Sequence, residues 1–112
     1  MNLTDCIALA EFAHRNQLDK AGLPYIEHPK RVMSMVQEQG AAPYVQMAAI
    51  LHDVTEDTPF TGDMLLALGV PEAAVTLVLL LDRGASRVEY ERQRELGNIA
   101  CKIGRASCRE RV

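Results

Sequence analysis

The sequence has no tryptophan, only two phenylalanines and three tyrosines, and no cysteine pair at a C-x-x-C spacing. So few aromatics leave little stacking surface for single-stranded nucleic acid. The three cysteines, Cys6, Cys101 and Cys108, are odd in number and widely spaced. They suggest neither a zinc knuckle nor a disulfide framework, and they suit a reducing compartment. Positive charge is also short: 12 Lys and Arg face 15 Asp and Glu, for a formal net charge of −3. Bulk electrostatics therefore argue against a nucleic-acid or membrane-surface partner. The most apolar stretch, residues 64–81, is interrupted by Gly69, Pro71 and Glu72. It falls short of the roughly 20 apolar residues that cross a bilayer. The N-terminus has no basic segment ahead of an apolar run, so it does not read as a secretory signal. A cytoplasmic protein is expected.

Strand signals are missing as well, with neither sustained alternation nor an Asn-Gly hairpin. What is present is helical. The chain of 112 residues, 48% of them apolar, suits one domain whose core needs no cross-links. Thr4 is expected to cap a first helix running to about Gln17, with Ile7, Ala8, Phe12 and Ala13 in its apolar face. Gly22 and Pro24 mark a loop. Pro29 suits the first turn of a second helix, which carries Val32, Met33 and Val36 on one side and stops at Gly40. A third helix is expected from Pro43 to about Glu56, ended by Pro59. Thr61 can cap a short fourth helix stopping at Gly69. Pro71 opens a fifth, buried on most sides over residues 73–81. A polar helix over residues 87–96 and the start of another at residues 98–102 complete an all-α reading.

The last ten residues, IGRASCRERV, break the pattern: three arginines appear and apolar periodicity vanishes. The string matches the translation, in one frame, of a common sequencing adapter, so residues 103–112 are expected to be read-through and are set aside from fold reasoning. Without them Lys and Arg fall to 9, Asp and Glu to 14, and the net charge becomes −5. Residues 1–102 are then the expected native part of a longer protein.

The chemistry concentrates in AAILHDVTEDTP, residues 48–59. His52 and Glu56 stand at i, i+4, as do Asp53 and Asp57, while Asp53 and Glu56 stand at i, i+3, so the pairs meet if the helix continues. His28 can join them. Helices two and three meet at a short turn near Ala41 and should pack antiparallel. At about 1.5 Å per residue, His28 and His52 stand roughly 20 and 17 Å from that turn. Two histidines and an aspartate, without a thiolate, would make a mixed N/O site for Mn²⁺, Fe²⁺, Mg²⁺ or Zn²⁺. Spacing alone leaves a plainer alternative open, a solvated helix end, although acids there oppose the helix dipole.

HRNQLDKAGLPYIEHPKRV followed by AAILHDVTEDTPFT resembles the HD-domain phosphohydrolases. In particular it resembles the Rel/Spo-type guanosine tetraphosphate (alarmone) 3′-pyrophosphohydrolases and their small stand-alone relatives. That family reads approximately AH-x-GQ-x-R-K-S-G-x-PYI-x-HP, and the match is ungapped from His14 through Pro29. The resemblance implies a compact helical bundle, here without its C-terminal helices. It further implies that His28, His52 and Asp53 ligate a divalent metal, usually manganese, and that Glu56 and Asp57 serve the hydrolytic water. Lys20 matches a basic position near the phosphates of a nucleotide substrate. Tyr25 would chiefly pack, and His14 would give a supporting hydrogen bond.

Two departures qualify the resemblance. Asp19 and Ala21 replace a basic residue and a serine, which should weaken or redirect polyphosphate binding. The family's fourth ligand is an Asp in a K-x-x-D-x-x-x-N helix beyond the segment matching residues 98–102. No Asp follows Asp82 in this chain, so the 112-residue chain itself is expected to be weak or inactive. A non-catalytic nucleotide-sensing module is the alternative function.

Overall fold

A computed structural model of the chain describes residues 1–81. The expected helices at 87–96 and 98–102, Cys101, Cys108 and the segment 103–112 lie outside the described residues. Within them the architecture is helical: α1 (Leu3–Ala13), α2 (Glu27–Glu38), α3 (Pro43–Leu51), α4 (Val54–Asp57), α5 (Gly62–Ala67) and α6 (Glu72–Leu81). An isolated antiparallel bridge, Leu18 with Pro24, pins the loop between α1 and α2. No helix among the described residues is long and apolar enough to cross a membrane.

The centre is α3. Val45, Met47, Ala48, Ala49, Ile50 and Leu51 are all buried, so this helix is apolar nearly all round, as a helix packed on several sides must be. It contacts α1, α2 and α6, and α5 packs on α6. Ala48 and Ala49 let neighbouring helices approach closely. By contrast, α2 is two-sided. It buries His28, Pro29, Val32, Met33 and Val36 and turns Arg31, Ser34, Gln37 and Glu38 to solvent. Pro29 falls in its first turn, where a backbone N–H has no intrahelical acceptor to lose.

The α2–α3 turn sets the register of the site. Gly40 has φ +75°, the left-handed conformation that glycine adopts without a Cβ clash. The Ala41 amide donates to the Val36 carbonyl at 3.2 Å and the Gly40 amide to Gln37 at 3.0 Å. These bonds form a Schellman stop, which ends α2 where the sequence places its end. Gln46 clamps the turn by donating to the Ala41 carbonyl at 2.9 Å.

Four expectations need correcting. The first helix is capped by Asn2, not Thr4. The Asp5 amide donates to Asn2 Oδ1 at 2.9 Å and the Asn2 amide to Asp5 Oδ2 at 3.2 Å, a reciprocal box that satisfies two amides at once. That helix also ends at Ala13, because His14 leaves helical geometry as its C-cap. Its buried face is Cys6 and Ala10, whereas Phe12 is 56% exposed, lying edge-on to Phe60 with Arg15 above its ring. The third helix stops at Leu51 rather than continuing to Glu56. Over residues 73–80 the α6 run is buried as expected except at Ala73 and Leu79, which face outward, and Thr76, which is half-buried.

Truncating Ile50 to Ala should cost about 2–5 kcal/mol, because this side chain is wholly buried and no neighbour can collapse fully into the space. Urea unfolding measures the loss. Burial also pushes the Cys6 thiol upward, with the amino terminus opposing and Asp5 adding to the shift. At pH 8 the native protein should alkylate at Cys6 about tenfold more slowly than the urea-unfolded chain, read by mass spectrometry of the Cys6 peptide.

Candidate metal centre

The helix break at residues 52–53 builds the site. His52 is the C-cap of α3, and Asp53, at φ −97° and ψ −3°, is the N-cap of α4. Both side chains are turned inward there, and both residues are buried. The His52 ring nitrogen Nδ1 meets the Ala49 carbonyl at 2.6 Å. A carbonyl only accepts, so Nδ1 carries the proton in this contact and neutral His52 presents the Nε2 lone pair on the far side of its ring. That nitrogen lies 3.1 Å from Asp53 Oδ2.

From α2, His28 arrives at the same oxygen, its Nε2 3.5 Å from Asp53 Oδ2. The two imidazole centroids are 5.5 Å apart, the levelness expected of antiparallel α2 and α3. One donor atom from each of His28, His52 and Asp53 lies within 4.8 Å of the others. Their relative exposures of 7%, 6% and 2% remove most of the water that would otherwise solvate a carboxylate. A lone-pair nitrogen facing a carboxylate oxygen is repulsive unless positive charge stands between them. A proton relieves one contact, whereas a divalent cation relieves all of them. Two imidazoles and one carboxylate also match borderline and hard divalent ions, and the Ala49 carbonyl is the kind of outer partner that fixes a ligating histidine. The residues present fit such an ion.

Tyr25 takes a larger part than packing. Its hydroxyl donates to Asp53 Oδ2 at 2.7 Å, and its ring lies between His14 and His28, with centroids 5.1 and 5.8 Å away. Its signal in the sequence was its place in the PYI turn three residues before His28. His14 does give a supporting hydrogen bond, from Nδ1 to Gln17 Oε1 at 2.8 Å. Gln17 is a residue that sequence reasoning passed over; its side-chain amide reaches the Asp57 carbonyl at 2.7 Å.

The remaining site candidates stand outside the buried cluster. Glu56 and Asp57 are exposed in the single turn of α4, beside the triad in sequence but not among its converging donors. Because α3 has already ended, they do not stand at the C-terminus of a long helix, and the expected dipole conflict is largely removed. Lys20 is exposed on the loop before α2. Asp19 shapes that loop: its Oδ1 accepts the Ala21 and Leu23 amides at 2.8 and 2.9 Å. Gly22, at φ +82°, completes the turn.

This fold sets a buried His-His-Asp donor cluster at the break between two helices of an all-helical scaffold. No family model matches the chain. It is 44% identical over 57 residues to the guanosine-3′,5′-bis(diphosphate) 3′-pyrophosphohydrolase of Haemophilus influenzae, covering 51% of this chain and 8% of that protein. Over 96 residues it is 34% identical to the guanosine-3′,5′-bis(diphosphate) 3′-pyrophosphohydrolase MESH1 of Danio rerio, covering 81% of this chain and 53% of the relative. Among solved structures, a metazoan orthologue of SpoT described as hydrolysing ppGpp superposes with TM-score 0.78 at 26% identity, over 97% of this chain and 67% of that one. The chain is a homologue of the (p)ppGpp 3′-pyrophosphohydrolases, and it spans about half the length of MESH1 and far less of the longer bacterial relative.

Replacing Tyr25 by Phe removes one hydroxyl and leaves the ring. Affinity for a titrated divalent ion should fall about tenfold, as for other partners of ligating carboxylates, with calorimetry as the measurement.

Proposed function

We propose that the protein to which this chain belongs is a metal-dependent nucleotide phosphohydrolase, and that its substrate is a guanosine polyphosphate such as (p)ppGpp, cleaved at the 3′-pyrophosphate. The observation that carries the reading is the convergence of His28 Nε2 and His52 Nε2 on Asp53 Oδ2 in a buried cluster. In this reading His28, His52 and Asp53 hold the ion, and Mn²⁺ is the metal of choice. When bound, such an ion supplies Lewis acidity, lowering the pKa of water and offsetting phosphate charge.

The chain's own residues do the rest. Ala49 and Tyr25 keep His52 and Asp53 oriented, so little rearrangement accompanies binding. Glu56 and Asp57, exposed one turn further on, would orient a water and accept its proton as it attacks phosphorus. Lys20 would offer an exposed ammonium to the polyphosphate on the solvent side. The homology to (p)ppGpp hydrolases supports this substrate class. Asp19, where the resembling family carries a cation, favours a second reading, a nucleotide sensor that binds without turnover.

The test uses the protein encoded by the uninterrupted reading frame, since the resemblance puts a further ligand beyond residue 102. With Mn²⁺ present, pyrophosphate release from ppGpp supports the enzyme, and saturable binding without product supports the sensor. His52→Ala and Asp53→Ala should each lose bound metal by elemental analysis, and full retention in both would remove the ligand assignment. Glu56→Gln should keep the metal and lower kcat by about 10²- to 10⁴-fold, the usual range for a lost proton acceptor.

A further inference from the structure

The single turn of α4 is too short to be stable by its own backbone bonds. Its backbone bonds run from the Asp57 amide to Asp53 at 2.9 Å and from the Thr58 amide to Val54 at 3.1 Å, and a lone helical turn is unfavourable in water. Val54, wholly buried, anchors its beginning in the core. Its end is held locally by the Thr58 hydroxyl, which donates to the Val54 carbonyl at 2.6 Å, and from elsewhere by Gln17 Nε2, which donates to the Asp57 carbonyl at 2.7 Å across a sequence separation of 40 residues. That carbonyl is one of the terminal acceptors that a helix leaves without an intrahelical donor.

Gln17 is itself fixed on three further sides. Its amide donates to the His14 carbonyl at 3.0 Å, and its carbonyl accepts the Tyr25 amide at 2.9 Å. The Asp57 carbonyl only accepts, so Gln17 must turn its amide nitrogen there and its Oε1 toward His14. His14 Nδ1, 2.8 Å away, must then carry the proton. The other His14 nitrogen, Nε2, is buried without a hydrogen-bond partner, which leaves Nδ1–H as the ring's anchoring contact. One residue thus joins three segments: its side chain ties His14 at the end of α1 to the end of the turn bearing Glu56 and Asp57, and its backbone carbonyl holds the Tyr25 turn that leads into His28.

We infer that Gln17 is a positioning residue that locks the acidic turn of α4 in register with the His28–His52–Asp53 cluster, with His14 serving to orient its amide. The inference rests on the hydrolase reading for its effect on turnover, but the lock itself is mechanical and is measured separately. Gln17→Ala removes both side-chain bonds. Gln17→Glu keeps an acceptor for His14 Nδ1 and replaces the donor to Asp57 by an oxygen.

In the full-length protein, both variants should raise amide hydrogen exchange at Asp57 and Thr58 about tenfold, while α3 amides keep wild-type protection and report an intact fold. With Mn²⁺ and ppGpp, kcat should fall about 10- to 100-fold, the scale of a slightly misplaced catalytic group. KM and Mn²⁺ affinity should stay within about twofold, since the ion's own donors are untouched. Unchanged exchange at Asp57 and Thr58 overturns the inference. So does faster exchange with wild-type kcat, or a kcat loss confined to Gln17→Ala, which would assign the effect to His14. If wild type shows no turnover, the hydrolase reading fails by itself, and exchange in the same samples still decides the lock.

Discussion

One oxygen organises this molecule. Asp53 Oδ2 receives the Tyr25 hydroxyl and faces the Nε2 atoms of His28 and His52. A carboxylate with 2% of its residue surface exposed carries a desolvation penalty of several kcal/mol, which good geometry must offset. Tyr25 offers one neutral donor, and that is a partial answer. The two imidazoles add to it when positive charge lies among them, whether as protons or as an ion. The cluster gains from positive charge placed among its atoms, and two imidazoles beside a carboxylate suit a divalent ion.

The scaffold is built to carry that cost. His52 and Asp53 hang from the end of α3, whose side chains from Met47 to Leu51 are all buried, and α2 delivers His28 across a turn locked by Gly40 and Gln46. Burial also grades along the chain, from the enclosed triad to the exposed acids of α4. A hydrolytic site needs both conditions. Ligands must be shielded so that their attraction for an ion is strong, and proton acceptors must be wet so that water and substrate can reach them. The break after Leu51 provides the change from one to the other, since a continuous helix would have kept Glu56 and Asp57 in phase with the buried face.

The levelness of His28 and His52 was legible because it follows from the fixed rise of two antiparallel helices and a turn that Gly40 marks. The stop of α2, the cap at Thr61 and the burial of α6 were legible for similar reasons, each resting on local chemistry. The break at 52–53 was not. There a carboxylate is held by a hydroxyl 28 residues away, and no local pattern records that bond. Phe12 was misplaced because α1 is apolar on several sides, so periodicity alone could not choose a face. Asn2 and Thr4 are both good caps, and only the reciprocal bond with Asp5 distinguishes them. Gln17 escaped notice because its partner is a main-chain carbonyl, which any residue type at position 57 would offer.

Asp19 shows how a change of charge can leave a shape intact. Its carboxylate accepts the Ala21 and Leu23 amides, while its own amide donates to the Leu23 carbonyl at 2.8 Å. The side chain is therefore committed to closing the loop, and Lys20 is displayed at its corner whatever charge Asp19 bears. Hydrogen bonding to two amides disperses the negative charge without cancelling it. A polyphosphate approaching Lys20 would still meet one anion where the resembling family offers a cation. Loop geometry and loop electrostatics are thus separable here, and the proposed substrate would be discriminated by the second, with the first preserved.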